Sequence, residues 1–363
     1  MIFLKILGYI LLFIVVFFAG IIVLKLSSKL FYMVSTDARK IYHVEKIDFT
    51  GLPKHYSNHV WRTLEDRSLL LELEREDDIS ELGIYDPSSK KWKKLMGFDA
   101  EIPFSNLEVC SKDWLVYTSG YVDYPLYEED EDQSAELYLD VFSRRTGEQR
   151  RLHQFSLEYL MAGTHVIHSM VVHKDIVYFT EMENGEFCVY AYDLVRDRKE
   201  VVARESQSAH LYKDKIYVLG KNEDGRYTKL FSLYSSDSIA LPKNLYDVSS
   251  SNHHLFILTY TRLKKGAFKI TLMELVGDCF EMLLISKKPI SYIRNSDDLV
   301  RWNVENHETP MAYSIKHKKI IKFSFLRHRD WFIFIHEDKG ILRRGDYMED
   351  EYYSFYPKDE GTA

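Results

Sequence analysis

Two kinds of hydrophobic pattern divide the chain. Near the N-terminus, the nineteen residues from Ile6 to Leu24 carry no charge, and Lys5 and Lys25 flank this run. A helix of that length rises about 28 Å at about 1.5 Å per residue, close to the ~30 Å hydrocarbon thickness of a bilayer. We therefore predict a single transmembrane helix over residues 2–26, followed by a juxtamembrane linker over residues 27–41.

A cleaved signal peptide is the competing interpretation of this run. The apolar core of a signal peptide is usually only about 7–15 residues long and ends in small residues before the cleavage site. Cleavage after Ala19 or Gly20 would place Phe17 or Phe18 where a small residue is required. The pattern therefore favours a retained signal anchor, and the lipid bilayer is the first predicted partner, through residues 2–26.

The orientation of this anchor depends on two opposing arguments. Basic residues within about 15–20 residues of the helix are more numerous downstream than upstream, which favours a cytoplasmic domain. The downstream residues are Lys25, Lys29, Arg39 and Lys40. Long domains, however, translocate with little regard to charge, and a short N-terminal tail is typical of a signal anchor. We expect a single-pass protein of the cell membrane with its domain on the extracytoplasmic side, and the cytoplasmic side is the alternative.

After the anchor, short apolar runs recur behind a polar pair of the Lys-Asp type. One clear copy is Lys174-Asp175 followed by Ile176, Val177 and Tyr178. The seven markers of this repeat are residues 67, 113, 175, 214, 254, 298 and 330. Most of them lie about 40 residues apart, and a second strand-like run follows six of the markers by 13–16 residues and the marker at residue 113 by 24. Repeats of this length are typical of solenoids and propellers.

Turn-forming pairs separate the two runs of several repeats, so each repeat is predicted to form an antiparallel hairpin. These pairs are Asn184-Gly185, Asp224-Gly225, Lys265-Gly266 and Lys339-Gly340. Within the runs, apolar residues are often continuous, as in residues 176–179 and 331–335. Continuous apolar runs indicate strands that are buried on both faces, which is a property of propeller blades packed between two neighbours.

The fold class predicted from these patterns is all-β, a propeller of about seven blades over residues 42–357 with a C-terminal tail over residues 358–363. Six blades are the alternative, because the last interval of 32 residues is short for a four-stranded blade. Residues 42–49 are expected to add a strand that closes the ring with the last blade. Residues 64–82 are rich in Leu and Glu, as helices often are, but the repeat places Leu69 to Leu73 in a strand.

The aligned units resemble β-propeller repeats in general. The Trp-Asp signature, the kelch double glycine and the sialidase Asp-box are all absent from the chain. The resemblance therefore implies the fold and no particular family or activity, because one fold hosts many activities.

Composition narrows the classes of function. The 26 tyrosines and 21 phenylalanines suit pleated strands, and the 46% of hydrophobic residues supports a packed core. The net charge of −7 argues against the basic field with which proteins gather nucleic acid. Phosphate loops, dinucleotide fingerprints and nucleophile signatures are missing, so no cofactor and no catalytic residue is predicted.

An extended hairpin loop in the second repeat is the most distinctive candidate binding site. The loop is about ten residues longer than its counterparts, and it is both anionic and aromatic. Its candidate contact residues are Tyr121, Tyr124, Tyr127, Glu128, Glu129, Asp130, Glu131 and Asp132. Long loops often bind partners, here a basic protein or Ca²⁺, although the spacing of an EF-hand is absent. A solvated insertion without function is the competing interpretation.

No metal site is predicted from the histidines. His165 and His168 lie an odd number of positions apart, as do His253 and His254. Side chains at odd separations point to opposite faces of a strand, so neither pair is expected to share a metal ion.

Two classes of function are consistent with these patterns. The first, which we favour, is a membrane-anchored, non-enzymatic propeller that presents a protein- or glycan-binding surface. The alternative is a membrane-bound hydrolase, because propellers can gather carboxylates from different blades over the central channel. Glu181, Glu183 and Asp193 are among the available carboxylates, but nothing in the sequence selects a catalytic pair.

Overall fold

The computed structural model describes most of the chain after residue 34. The described ranges are residues 35–55, 57–64, 66–75, 79–99, 101–122, 135–162, 170–263, 268–286, 290–296, 298–304, 311–323, 331–336, 339–346 and 349–358. Within these ranges, no helix has the length and apolar character needed to cross a membrane. The predicted transmembrane helix over residues 2–26 lies outside the described residues.

The described strands form seven sheets, which are the seven blades of a β-propeller. The chain enters the ring through β1 (Ser35–Asp37), a 3-10 helix (Ala38–Lys40) and β2 (Tyr42–Lys46). Blade 1 contains β3 (Ser57–Thr63), β4 (Leu69–Glu74), β5 (Ser80–Asp86) and β6 (Lys91–Phe98). Blade 2 contains β7 (Phe104–Cys110), β8 (Trp114–Val122), β9 (Ala135–Ser143) and β10 (Gln149–Gln154), and helix α1 (Leu157–Ala162) follows it.

The remaining blades repeat the same order. Blade 3 contains β11 (Val171–His173), β12 (Ile176–Glu183), β13 (Glu186–Asp193) and β14 (Arg198–Arg204). Blade 4 contains β15 (Ser206–Tyr212), β16 (Lys215–Lys221), β17 (Tyr227–Ser232) and β18 (Ser238–Ala240). Blade 5 contains β19 (Leu245–Ser250), β20 (Leu255–Arg262), β21 (Phe268–Val276) and β22 (Cys279–Ser286).

The last two blades complete the ring. Blade 6 contains β23 (Ile290–Asn295), β24 (Leu299–Val304), β25 (Met311–Ser314) and β26 (Lys319–Lys322). Blade 7 contains β27 (Trp331–His336), β28 (Lys339–Asp346) and β29 (Glu349–Pro357). Neighbouring strands among those named for each blade are antiparallel, and the first of them lies innermost, beside the central channel.

The ring closes through its N-terminal segment. Strand β2 pairs antiparallel with β29, so it is the outermost strand of blade 7, as the sequence predicts for residues 42–49. The side chain of Tyr42 is buried and meets the ring of Phe355 edge-on at 5.4 Å. Strand β1 pairs in parallel with β26 and gives blade 6 a fifth strand. Residues 35–40, which fall within the predicted linker, are therefore part of the folded ring.

The Lys-Asp marker is a two-residue hairpin turn between the first and second strands of a blade. Lys174 and Asp175 both have positive φ, of 50° and 60°, and so have Lys213 and Asp214, of 50° and 58°. Positive φ at both central residues defines the type I′ turn, whose twist matches that of the flanking strands. The marker is therefore this turn in blades 3 and 4, and the markers of blades 1, 2, 5 and 6 also lie between the first and second strands.

The last marker is the exception, and it explains the short final interval. Asp330 precedes β27, the first strand of blade 7, whereas the earlier markers precede second strands. Lys339 and Gly340 accordingly lie within β28 and not in a turn between strands, which corrects that part of the prediction. Blade 7 is complete because β2 supplies its fourth strand, so the count is seven blades and not six.

The core lies between the blades, and β12 shows why its apolar residues are continuous. Val177 and Phe179 pack towards blade 2, against Val116 and Leu139. Tyr178, which points the other way, packs towards blade 4, against Val218. Each face of a blade thus contributes to a separate interface, and both faces need apolar side chains.

Candidate binding site in the central channel

The predicted loop site is described only at its first residue. Tyr121 lies at the end of β8, and 39% of its surface is exposed. The other predicted contact residues, from Tyr124 to Asp132, lie outside the described residues. Gly120, just before Tyr121, has φ of 98° and donates its backbone N–H to the carbonyl oxygen of Pro103 at 2.8 Å. The role of this loop as a partner contact remains a prediction.

The three carboxylates considered for catalysis each serve a local contact in blade 3. Glu181 is buried and accepts hydrogen bonds from the backbone N–H and the hydroxyl of Ser156, at 3.0 and 2.7 Å, and it lies 2.8 Å from Nε2 of His153. Burial opposes its ionisation, but these hydrogen bonds outweigh burial and lower the pKa of its carboxyl group. Glu181 therefore holds the start of helix α1 on blade 3.

Glu183 and Asp193 also form hydrogen bonds outside the channel. Glu183 accepts hydrogen bonds from the hydroxyl of Tyr190 and, at 3.1 Å, from the guanidinium of Arg204. Asp193 accepts the backbone N–H groups of Val195 and Arg196, at 3.0 and 2.9 Å, and so stabilises the turn after β13. Nothing brings these carboxylates together with Glu181 as a catalytic pair.

The described histidines do not form a metal centre with other ligands. His254 bonds to Glu274 through Nδ1 at 2.7 Å, and His165 and His168 lie outside the described residues. Within the described part of the chain, no group of three His, Cys, Asp or Glu side chains converges as metal ligands do.

The inner strands carry a set of polar side chains that sequence reasoning did not single out. They come from four blades: Asn106 and Glu108 from β7, Ser208 and His210 from β15, Asp247 and Ser249 from β19, and Arg294 and Asn295 from β23. The only sequence signal is that these strands are more polar than the strands that follow them.

Two of these side chains join the inner strands of blades 5 and 6. The carboxylate of Asp247 accepts the backbone N–H of Ile293 at 2.9 Å and that of Val248 at 2.8 Å. Two residues further on, the hydroxyl of Ser249 accepts the backbone N–H of Asn295 at 3.1 Å. The inner edge of a first strand has no further strand to pair with, so side chains satisfy its N–H groups. Both neighbours of Arg294 are thereby fixed.

Arg294 projects into the channel between these two anchored neighbours. Its side chain is exposed, and its guanidinium donates a hydrogen bond to the carbonyl oxygen of Ile293 at 2.9 Å. Arg294 pairs directly with Arg301 on β24, so two like charges face each other across neighbouring strands. Such an arrangement is destabilising unless negative charge lies close by. Burial, and then the charge of Arg294, lower the pKa of Arg301 to about 10.

The charge of Arg294 acts on ionisable groups of three further blades. Burial raises the pKa of the Glu108 carboxyl group on blade 2, and the hydrogen bond from Asn106 and the charge of Arg294 oppose this rise. Burial raises the pKa of Asp247 on blade 5 to about 6, and the charge of Arg294 again opposes this rise. Burial and Arg294 together lower the pKa of His210 on blade 4 to about 3. The charge of one solvent-exposed guanidinium on blade 6 thus affects ionisable groups on blades 2, 4 and 5.

This arrangement suits an anion. The imidazole of His210 is neutral near pH 7 and lies 2.7 Å from the hydroxyl of Ser208. Burial raises the pKa of both acids, Glu108 and Asp247, which lessens their negative charge near Arg294 as the pH falls. Arg294 offers a planar fork of donors, which matches carboxylate, phosphate or sulfate oxygens. A bound anion would also reduce the repulsion between Arg294 and Arg301.

Comparison with known proteins supports the fold and leaves the function open. No model of a protein family matches the sequence, and a search of curated proteins finds no match. Among solved structures, an oligogalacturonate lyase from Vibrio parahaemolyticus is similar, with a TM-score of 0.56, 10% identity, and coverage of 88% of this chain and 98% of that chain.

Two peptidases have similar propellers. The β-propeller domain of the Trilobed protease from Pyrococcus furiosus matches with a TM-score of 0.52 and 10% identity, over 82% of this chain and 94% of that chain. A prolyl endopeptidase matches with a TM-score of 0.55 and 10% identity, over 85% of this chain and 51% of that chain. At this identity the likeness shows a shared β-propeller fold alone.

Proposed function

We propose that this protein is a membrane-anchored binding propeller that takes an anionic ligand into its central channel. The observation that carries the proposal is Arg294, a solvent-exposed guanidinium on the inner strand of blade 6, whose two backbone neighbours are fixed by Asp247 and Ser249 and whose charge affects ionisable groups on three other blades. The membrane part of the proposal is supported by the apolar run over residues 2–26.

The ligand class follows from the chemistry of the channel. An arginine that faces a second arginine favours a group with two or more acceptor oxygens, such as a carboxylate of an acidic saccharide or peptide. Oligogalacturonate, which the similar lyase from Vibrio parahaemolyticus is named for, is one acidic saccharide and therefore a suitable probe. This choice agrees with a glycan-binding role for the propeller.

The test is a titration of the full-length protein in nanodiscs. We expect isothermal titration calorimetry to detect binding to at least one member of a panel of oligogalacturonate, sulfate, inorganic phosphate and an acidic peptide. Arg294→Gln should weaken that binding at least tenfold, and Arg294→Lys should weaken it less, because a charge remains without the planar fork. Arg196→Gln, at an exposed turn of blade 3, is the matched control.

Equal binding by wild type and Arg294→Gln would contradict a role for Arg294. Failure of every probe to bind the wild type would contradict an anion site in the channel.

An enzyme is the second candidate, and one observation favours it. Glu108 and Asp247 are both acids with raised pKa values near Arg294, and such groups are frequent in active sites. Against it, both carboxylate oxygens of Asp247 already accept backbone N–H groups. Incubation with the bound probe distinguishes the two: an enzyme yields products that disappear with Glu108→Gln, whereas a binding protein returns the probe unchanged.

The side of the membrane belongs to the same proposal. We propose the extracytoplasmic side, supported by the short N-terminal tail, and protease treatment of intact cells tests it. Digestion of the propeller from outside is the expected result, and complete protection in intact but not in permeabilised cells would favour the cytoplasmic side. The anionic loop with Tyr121 is proposed as a contact for a basic protein partner.

A further inference from the structure

We propose that the outer edge of blade 6 docks on anionic lipid headgroups through a basic turn made of Lys316, His317, Lys318 and Lys319. The inference rests on the membrane anchor of the proposed function and adds which part of the ring faces the bilayer. It does not depend on the ligand in the channel.

The basic turn joins β25 and β26 of blade 6, and β26 pairs with β1 at the outer edge of the blade. The backbone N–H of His317 bonds to the hydroxyl of Ser314 at 3.2 Å, and that of Lys318 bonds to the carbonyl oxygen of Ile315 at 3.3 Å. Lys316, Lys318 and Lys319 are all exposed. The tight turn therefore presents three cationic side chains at one corner of the ring.

Within the part of the chain that the structure describes, the three lysines of the basic turn form no ion pair, as is also true of Lys91, Lys93 and Lys112, whereas several other lysines do. Lys46, Lys90, Lys94, Lys174, Lys215, Lys221 and Lys243 each form an ion pair with an Asp or Glu side chain. Among the described residues, no carboxylate lies within ion-pair distance of the three lysines of the basic turn. Their charges are therefore available to an external anion.

The chain joins the ring at this corner. Ser35, the first described residue, pairs in parallel with Ile320, which directly follows Lys319. The eight residues from 27 to 34 separate the predicted transmembrane helix from Ser35, and they reach at most about 30 Å when fully extended. The anchor thus holds blade 6 closer to the bilayer than the blades across the ring.

Charge complementarity identifies the occupant as a lipid surface. An anionic bilayer attracts clustered lysines within about one Debye length, ~8–10 Å at physiological ionic strength. The tether keeps the turn at high effective concentration near the headgroups, so weak attraction per lysine is sufficient. Docking of blade 6 would fix the tilt of the ring and the direction in which the channel opens.

Site-resolved acylation of lysines in the full-length protein tests the inference. The protein is reconstituted into vesicles of neutral phosphatidylcholine or of phosphatidylcholine with 30% phosphatidylglycerol. After brief treatment with an uncharged acetylating reagent, mass spectrometry gives the rate at each lysine. We expect Lys316, Lys318 and Lys319 to react at least threefold more slowly in anionic vesicles, and salt at 0.5 M should abolish the difference. Lys91 and Lys93, exposed on blade 1, are the controls and should not change.

A matched pair of variants completes the test. The triple variant Lys316→Gln, Lys318→Gln and Lys319→Gln has no lysine left to acetylate at the turn, so backbone hydrogen exchange of residues 314–319 is measured instead. In this variant, protection from exchange should be equal in the two kinds of vesicle. The triple variant Lys91→Gln, Lys93→Gln and Lys112→Gln has the same change in net charge and should retain the difference.

Flotation of the vesicles separates the two ways in which the inference can fail. A protein that does not float with vesicles overturns the anchor and the docking together. A protein that floats, but whose three lysines react equally in both vesicles, overturns the docking and leaves the anchor intact. If the turn of the wild type is protected from hydrogen exchange equally in neutral and anionic vesicles, it contacts protein and not lipid, and lipid docking is overturned.

Discussion

The carboxylate of Asp247 on blade 5 accepts the backbone N–H of Ile293 on blade 6 at a distance of 2.9 Å. This bond links two inner strands that have no ladder between them, and it fixes the residue before Arg294. Because the carboxylate is buried, its ionisation connects the stability of the ring to pH.

Asp247 is expected to make the protein less stable as the pH rises from about 4 to about 6. Burial raises its pKa in the folded state to about 6, above the ordinary value of 3.8 for Asp, so the folded state holds the proton more tightly. Its contribution to the free energy of unfolding is full below pH 4 and is lost as the pH passes 6, a change of about 3 kcal/mol. Denaturant unfolding from pH 4 to 7.5 should show this slope in the difference between wild type and Asp247→Asn. Parallel curves would contradict it.

His210 is expected to act in the opposite direction. Burial lowers its pKa in the folded state to about 3, from 6.5, so its contribution to stability is full above pH 6.5 and declines as the pH falls. At pH 4.5 the loss should be about 3 kcal/mol relative to pH 7. His210→Gln should lack this dependence. Ser208→Ala removes the hydroxyl next to His210 but not the titrating group, so it should retain the slope.

Gly120 and Gly147 both have positive φ, but substitution by Ala should affect them unequally. At Gly120 a Cβ atom would lie 1.9 Å from the carbonyl oxygen of Glu136, whereas at Gly147 no atom lies within 4 Å. Gly147→Ala should cost about 1–2 kcal/mol from backbone strain alone. Gly120→Ala should cost more than about 3 kcal/mol, because the paired strands must separate. Denaturant unfolding of both variants measures the difference, and equal losses would contradict the steric argument.

The closing strand β2 should stabilise the folded state mainly through the buried side chain of Tyr42. Only 1% of its surface is exposed, and it packs on Phe355, so Tyr42→Ala should lower the free energy of unfolding by about 3–5 kcal/mol. Lys46→Ala, on the same strand, removes an exposed ion pair with Glu351 and should cost less than about 1 kcal/mol. Similar losses in both variants would indicate that backbone pairing, and not the buried ring, holds the closure.

Much of the fold was predictable because its causes are local. The two-residue turn at Lys174-Asp175 recurs at Lys213-Asp214, and apolar runs like that in β12 recur in several blades, since each blade meets the same packing problem on both faces. Leu69 to Leu73 form a strand despite good helix formers, because alternate leucines contact different neighbouring blades. The position of the last marker in its blade was predicted wrongly. A polar pair before an apolar run has the same sequence pattern whether it joins the first and second strands or precedes the first strand.

The candidate site was not predictable because its residues are distant in sequence. Glu108 and Arg294 belong to blades on opposite sides of the ring, and neither belongs to a motif. Glu181, by contrast, was a candidate for catalysis as a carboxylate, yet it accepts a hydrogen bond from Ser156 and so fixes the start of helix α1.

The sequence by itself determined the repeat, the β class and the apolar N-terminal run, because each depends on neighbours along the chain. It also indicated the closing strand β2, although the pairing of β2 with β29 joins distant parts of the chain. Only the tertiary structure decided the number of blades, the fate of the individual carboxylates and the polar channel around Arg294. Those features depend on which strand lies innermost, and this is fixed when the ring closes and brings groups from different blades into one low-dielectric space.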